Sequence, residues 1–139
     1  MKTHSTNYFN TLIEPSEDCK RLKSEVPKMK NDKKTQAVLQ FDYLANAPYQ
    51  MTSDDCLFEV FATQSDLTES EKAAARNQFF SKGQACFRCS PLVKNYGWAI
   101  HANAEGKIAL IPRESDAYFA LQADENIEKV KGMRNSREK

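Results

Sequence analysis

The sequence predicts an α+β fold: a small antiparallel sheet, including a β-hairpin in the C-terminal half, with helices packed on one face. Three observations predict it. Trp98-Ala99-Ile100-His101-Ala102 and Lys107-Ile108-Ala109-Leu110-Ile111 are β-prone and flank Asn103-Ala104-Glu105-Gly106, a turn sequence with glycine at its end. Ahead of them, segments opening at Thr35, Thr52 and Thr68 start on hydroxyls suited to capping helices. The resulting order of strand, helices, hairpin, helix and strand suits an antiparallel sheet with segregated helices.

Taken in order, Tyr8-Phe9-Asn10-Thr11-Leu12-Ile13 is β-prone and ends at Glu14-Pro15, which predicts a strand over 7–13. Residues 16–34 show no clear period and read as a long surface loop. Behind Thr35, the spacing of Val38, Phe41, Leu44 and Ala45 predicts a helix that stops before Pro48, because the residue before proline avoids the α region. Thr52-Ser53-Asp54-Asp55 starts the next helix, with a hydroxyl cap and two carboxylates where the helix dipole favours them. Cys56, Leu57, Val60 and Phe61 form its apolar face. Thr68-Glu69-Ser70-Glu71 is a capping box, and its helix is expected to reach about Ser81 and end at Gly83. After the hairpin, Glu114-Ser115-Asp116 opens a short helix through Tyr118 and Leu121, and Ile127 to Met133 is read as a last strand.

A chain of 139 residues with 40% hydrophobic and 28% charged residues fits one domain over 1–139 that needs no staples. Residues 134–139 are read as a flexible tail. Twenty Lys and Arg balance nineteen Asp and Glu, for a formal net charge of +1, which argues against a nucleic-acid partner. The basic runs Lys20–Lys34 and Lys129–Lys139 are read as solvated surface. The N-terminus lacks the apolar region of a secretory signal, and no segment approaches a membrane span. Four cysteines without an export signal fit free thiols in a reducing compartment. The expectation is a soluble, cytoplasmic protein with no cofactor and no membrane partner.

Most of the unusual chemistry lies between Gly83 and Ile111. Cys86-Phe87-Arg88-Cys89 is a C-x-x-C pair, able in principle to close a redox disulfide or to supply half of a zinc site. No second pair exists; His101 is the nearest further ligand, while Cys19, Cys56 and His4 are scattered. Structural thiols are the simplest of the three readings. The second constellation is Arg88, Ser90, Lys94 and His101. Ser90-Pro91 has the form of a helix start, and Arg88 and Lys94 beside it suit a bound phosphate or carboxylate. His101 and Ser90 are then the catalytic candidates, and Arg88, Lys94, Trp98 and Tyr96 the ligand-binding ones. The simpler alternative is a capped helix, solvated cations and a satisfied strand histidine. Asp54 and Asp55 are read as helix-dipole partners, not a catalytic pair. In Tyr96-Gly97-Trp98, glycine turns the chain and Trp98 anchors the hairpin.

Thr52-Ser53-Asp54-Asp55-x-Leu57-Phe58, followed by Phe80-Ser81-Lys82-Gly83-Gln84-x-Cys86-x-Arg88-x-Ser90-Pro91-Leu92-x-Lys94-x-Tyr96-Gly97-Trp98-x-x-His101, resembles an uncharacterised family of small bacterial and fungal hypothetical proteins. The likeness runs along most of the chain and includes Gly106-Lys107 and Glu114-Ser115-Asp116-x-Tyr118. The resemblance implies a shared fold and brings no activity with it. It also implies that Cys86 belongs to the pattern whereas Cys89 need not, which shifts weight from the thiol pair to Arg88, Ser90, Lys94 and His101. Three functions compete: binding of a small anionic molecule, with or without catalysis; an interaction or homo-oligomer module presenting Tyr96, Trp98, Tyr118 and Phe119; and a thiol or metal protein.

Overall fold

Four short strands form one sheet, and the alternation of their side chains decides what packs where. In the computed structural model, which describes residues 3–29, 31 and 33–136, these are β1 (Thr11–Glu14), β2 (Trp98–Ala102), β3 (Ile108–Pro112) and β4 (Glu128–Lys131). Their order across the sheet is β3-β2-β1-β4. The hairpin is β2–β3, β1 runs antiparallel to β2, and β4 runs parallel to β1. The class is α+β, with a mixed open sheet. β4 departs from the expected antiparallel pairing because helix α5 (Asp116–Ala123) carries the chain back along the sheet first, as a parallel neighbour requires.

The hairpin turn is built as the sequence suggested. Gly106 takes φ +81°, and the Asn103 side chain accepts from the N–H groups of Glu105 and Lys107. A side chain at Gly106 would also meet Phe9, whose ring would lie 2.8 Å from the added Cβ. β1 is shorter than the 7–13 expectation. Asn10 turns left-handed at φ 48°, and Thr6 and Asn7 serve the start of a helix instead.

Helix α1 (Gln36–Asn46) is capped by Thr35 and ends before Pro48. Helix α2 (Ser53–Gln64) opens with a full capping box. Asp55 N–H donates to the Thr52 hydroxyl, and the Asp55 carboxylate accepts from Thr52 N–H. Helix α3 (Glu69–Phe79) uses the Thr68–Glu71 box but stops short of Ser81, so Gly83 does not end it. It buries none of its own residues fully and is held by Phe79, which packs on Phe58 and Phe61, and by Arg76, whose guanidinium lies 5.7 Å over the Phe58 ring and 5.4 Å over Phe80. A 3₁₀ turn over Phe87–Cys89 leads into the one-turn helix α4 (Pro91–Lys94).

Ile13, Ile100, Ala102 and Ile108 point to one face of the sheet, the front, where they bury Leu44, Cys56, Leu57, Phe87 and Val93. Leu12, Ala99 and Ile111 point the other way and pack on Tyr118 of α5, with Leu121 and Ile127 beside it. The expectation of helices on one face therefore meets a correction. The back face is also apolar at alternate positions, and α5 covers part of it. Each fully buried side chain such as Phe87 or Ile100 contributes on the order of 1.5–3 kcal/mol. Both sheet edges are guarded. β4 reads Glu-Lys-Val-Lys, while along β3 the loop before α2 pairs through Tyr49 N–H to Ile108 O and Ile108 N–H to Met51 O.

Candidate functional site

Arg88, Ser90 and Lys94 come from the 3₁₀ turn and α4, both packed on the front face. His101 alternates with Ile100 and Ala102, which face the front core, so its side chain points to the back. The sheet thus lies between His101 and the other three candidates, and the structure does not bring the four together.

Each has its own partners. Ser90 is 2% exposed; its hydroxyl donates to Gln40 Oε1 at 2.5 Å and accepts from Leu92 N–H. It is the N-cap of α4, already satisfied and away from solvent. Lys94 closes α4, and its carbonyl accepts from Asn135 Nδ2. His101 Nδ1 lies 2.8 Å from the Tyr49 hydroxyl with the two rings edge to face. Burial lowers the His101 pKa, and the charge of Asp124 opposes that shift. Tyr49 holds this contact from a left-handed backbone, φ 59°, which is uncommon for an aromatic residue.

The aromatic candidates also have structural duties. Trp98 is half-buried against Phe41 and donates its indole N–H to Glu25 O. Tyr96 lies under the Arg21 guanidinium, 5.0 Å from ring centre to Cζ. Tyr118 is buried in the back cluster while its neighbour Phe119 is exposed, so these aromatics do not form one continuous patch. Asp54 accepts from Ser5, Thr6 N–H and the Thr6 hydroxyl. Burial works against ionisation of Asp55, but bonds from Thr52 and Arg76 outweigh it and hold the carboxyl below its usual range. Both act on structure.

All four cysteines are free thiols. Cys89 is exposed; Cys86 is half-buried with Sγ 3.4 Å from the Tyr8 hydroxyl. Burial, reinforced by that thiol, pushes the Tyr8 hydroxyl up to about 12, while Arg88 pulls the other way. Burial likewise pushes the Cys56 thiol up to about 12. Among the described residues, no three histidine, cysteine or carboxylate groups gather as a metal ion would need.

Tyr96 opens onto a concavity with Thr35, Gln36, Pro91 and Asn95, and Arg88 opens onto another. Arg88 lines a cleft of about 540 Å³ together with Glu17, Lys131, Met133, Arg134 and Asn135. Two bonds fix Arg88 there: its Nε donates to Lys131 O at 2.6 Å, and its carbonyl accepts from Met133 N–H at 2.7 Å. Opposite, Glu17 lies 3.3 Å from Lys131 Nζ and 2.8 Å from Arg134 Nη1. Lys131 and Arg134 thus pair with one carboxylate, and Arg88 lines the same cleft. The wall itself is tied down, since Asp18 accepts from the N–H groups of Asn135 and Ser136 and is held below the usual carboxylate range by those bonds. Part of the expected tail, 134–136, is therefore docked; 137–139 lie outside the described residues.

Lys131, Arg134 and Glu17 were not among the candidates read from the sequence. The signal was present in the basic run from Lys129, but nothing local indicated that β4 would bring it beside Arg88. No helix among the described residues is long and apolar enough to cross a membrane. No curated protein and no solved structure matches the chain. A family model does match, over residues 3–138, so nearly the whole folded unit, cleft included, falls within it: the chain belongs to a family of unknown function, DUF6157.

Proposed function

We propose that the protein binds a small anionic molecule, a carboxylate or phosphate compound, in the cleft between the 3₁₀ turn and the segment after β4. One observation carries the reading. Arg88 is anchored at the wall of a cleft of about 540 Å³, and Lys131 and Arg134 line the same space, paired with one carboxylate, Glu17. With Nε committed to a backbone carbonyl, the paired Nη groups are what an entering carboxylate or phosphate would meet, the geometry in which arginine recognises such groups best. A pre-fixed guanidinium loses little rotamer freedom on binding, which favours affinity. Compared with the constellation read from the sequence, the site keeps Arg88, exchanges Lys94 for Lys131 and Arg134, and assigns Ser90 to structure.

Thermal unfolding in the presence of inorganic phosphate, citrate and simple phosphate monoesters tests the proposal. A ligand at a hundredfold excess over its Kd stabilises the native state by about 2.7 kcal/mol, a shift of several degrees in Tm. The Arg88→Met variant, which keeps the side-chain length, is expected to fold and to lose that shift. If no anion raises the Tm, or if Arg88→Met responds as the parent does, the reading fails.

A further inference from the structure

The long segment ahead of α1 is not a loose loop. Ser24 N–H donates to Glu114 Oε1, the Ser24 hydroxyl donates to Gly97 O and accepts from Arg113 N–H, and Glu25 N–H donates to Tyr96 O. Glu25 O accepts from Trp98 Nε1, and Arg21 O accepts from Arg113 Nη1. Pro27 is buried. The fit over the hairpin is close. Gly97 sits at φ +76°, where a side chain is strained, and an added Cβ would crowd the carbonyls of Lys23 and Arg21 at 3.2 and 3.4 Å. This explains the Tyr96-Gly97-Trp98 motif better than a turn alone does.

The strap, bonded through Arg21, Ser24 and Glu25 and buried at Pro27, leaves its other large side chains in water. They are Leu22 at 84% exposure, Val26 at 57% and Met29 at 51%, interleaved with exposed Lys20, Lys23 and Lys28. Three of the large apolar residues the molecule leaves in water thus fall within one short stretch. Acidic groups nearby are already engaged: Glu25 pairs with Arg21 at 2.6 Å, and Glu114 holds Ser24 N–H. No ion pair to Lys20, Lys23 or Lys28 occurs among the described residues, although the charge of Lys23 is felt at Glu114.

We infer that this strap docks the protein on an anionic lipid bilayer, Leu22, Val26 and Met29 entering the interface while Lys20, Lys23 and Lys28 meet the headgroups. Aliphatic tips between lysines match both halves of such a surface, apolar burial and charge attraction, and the two together are what stable peripheral binding needs. Side chains standing this far out suit insertion into a soft interface. The strap's outward face offers no aromatic ring on which a nucleic-acid base would stack. The inference is independent of the anion cleft and extends to a partner class that net charge alone would not suggest.

Vesicle co-sedimentation of the full chain tests it. The protein is expected to pellet with vesicles containing about a third phosphatidylserine, to pellet far less with pure phosphatidylcholine, and to be released by salt. Each lysine near the surface is worth about fivefold in partitioning, so Lys20→Glu, Lys23→Glu and Lys28→Glu together should weaken it by about a hundredfold or more. Leu22→Ser, Val26→Ser and Met29→Ser together should also abolish pelleting while leaving the Tm unchanged, since none of the three is buried. No pelleting on anionic vesicles at low salt overturns the inference. So does a serine triple variant that still pellets fully, or heparin and duplex RNA binding as tightly as vesicles, either of which makes the strap a general polyanion surface.

Discussion

The two faces of the sheet differ in how completely they are used. On the front, α1, α2, the 3₁₀ turn and α4 enclose Phe87, Ile100 and Val93, all fully buried, and even the polar groups Ser90 and Gln40 are sealed against each other. On the back, α5 and Ile127 from the segment behind it cover Leu12, Ala99 and Ile111, leaving His101 and Tyr49 half-exposed near Asp124. Polar residues that look alike in sequence therefore live under different rules. Ser90 is committed to holding the fold, whereas His101 retains contact with solvent. Closeness along the chain says little here, because one step of strand alternation sends a side chain through to the other side.

The comparison breaks or sharpens first on packing. Phe87→Ala is expected to cost about 3–5 kcal/mol in urea unfolding, whereas Leu121→Ala on the partly covered back face should cost under about 2 kcal/mol. Equal losses would mean that the back is as tightly built as the front. Next comes the sealed polar pair. Ser90→Ala removes the α4 cap and leaves Gln40 Oε1 without its partner, in a side chain whose Nε2 already has none among the described residues. A loss of about 2 kcal/mol is expected, part of it recovered by adding Gln40→Met, because replacing both polar partners relieves the desolvation cost of the survivor. A Ser90→Ala variant as stable as the parent would show that the front-face pair contributes nothing.

The smallest effect belongs to the back. Burial lowers the folded pKa of His101 below its unfolded value, so the neutral ring is favoured in the native state. The associated stability is present above the unfolded pKa of about 6.5 and is lost as pH falls through the folded value. The difference in unfolding free energy between the parent and His101→Gln should therefore shrink on acidification from about pH 7.5 to about pH 5.5. If that difference grows instead, the Asp124 charge governs His101 and the back face is more solvated than its packing indicates.

Local signals carried much of this fold. Thr35, Thr52, Thr68, Ser90 and Ser115 cap helices where their sequences say they should, because a cap needs only its own first turn. The hairpin was legible for the same reason. The end of α3 was not, since Phe79 and Phe80 are turned inward by tertiary contacts with Phe58, ahead of the glycine that looked like a stop. Of the cleft, Arg88 was legible as a cation beside the Ser90-Pro91 helix start, grouped there with Lys94. Lys131 and Glu17 reach it only through the parallel pairing of β4 with β1, which nothing in either neighbourhood specifies. Leu22 and Val26 look like ordinary loop residues until the bonds of Arg21, Ser24 and Glu25 are seen to hold the backbone beside them.

The placement of β1 has a consequence in time. It is the first of the four strands to be synthesised, yet it sits inside the sheet with both neighbours, β2 and β4, contributed from more than 80 residues further on. While the nascent polypeptide is still emerging, α1, α2 and α3 can form and associate, but Leu12 and Ile13 have no partner to pair with. The sheet closes only when the hairpin and then β4 arrive, so long-range strand pairing sets the pace of folding. Because β4 also brings Lys131 to the cleft, the cleft becomes complete in that same late event.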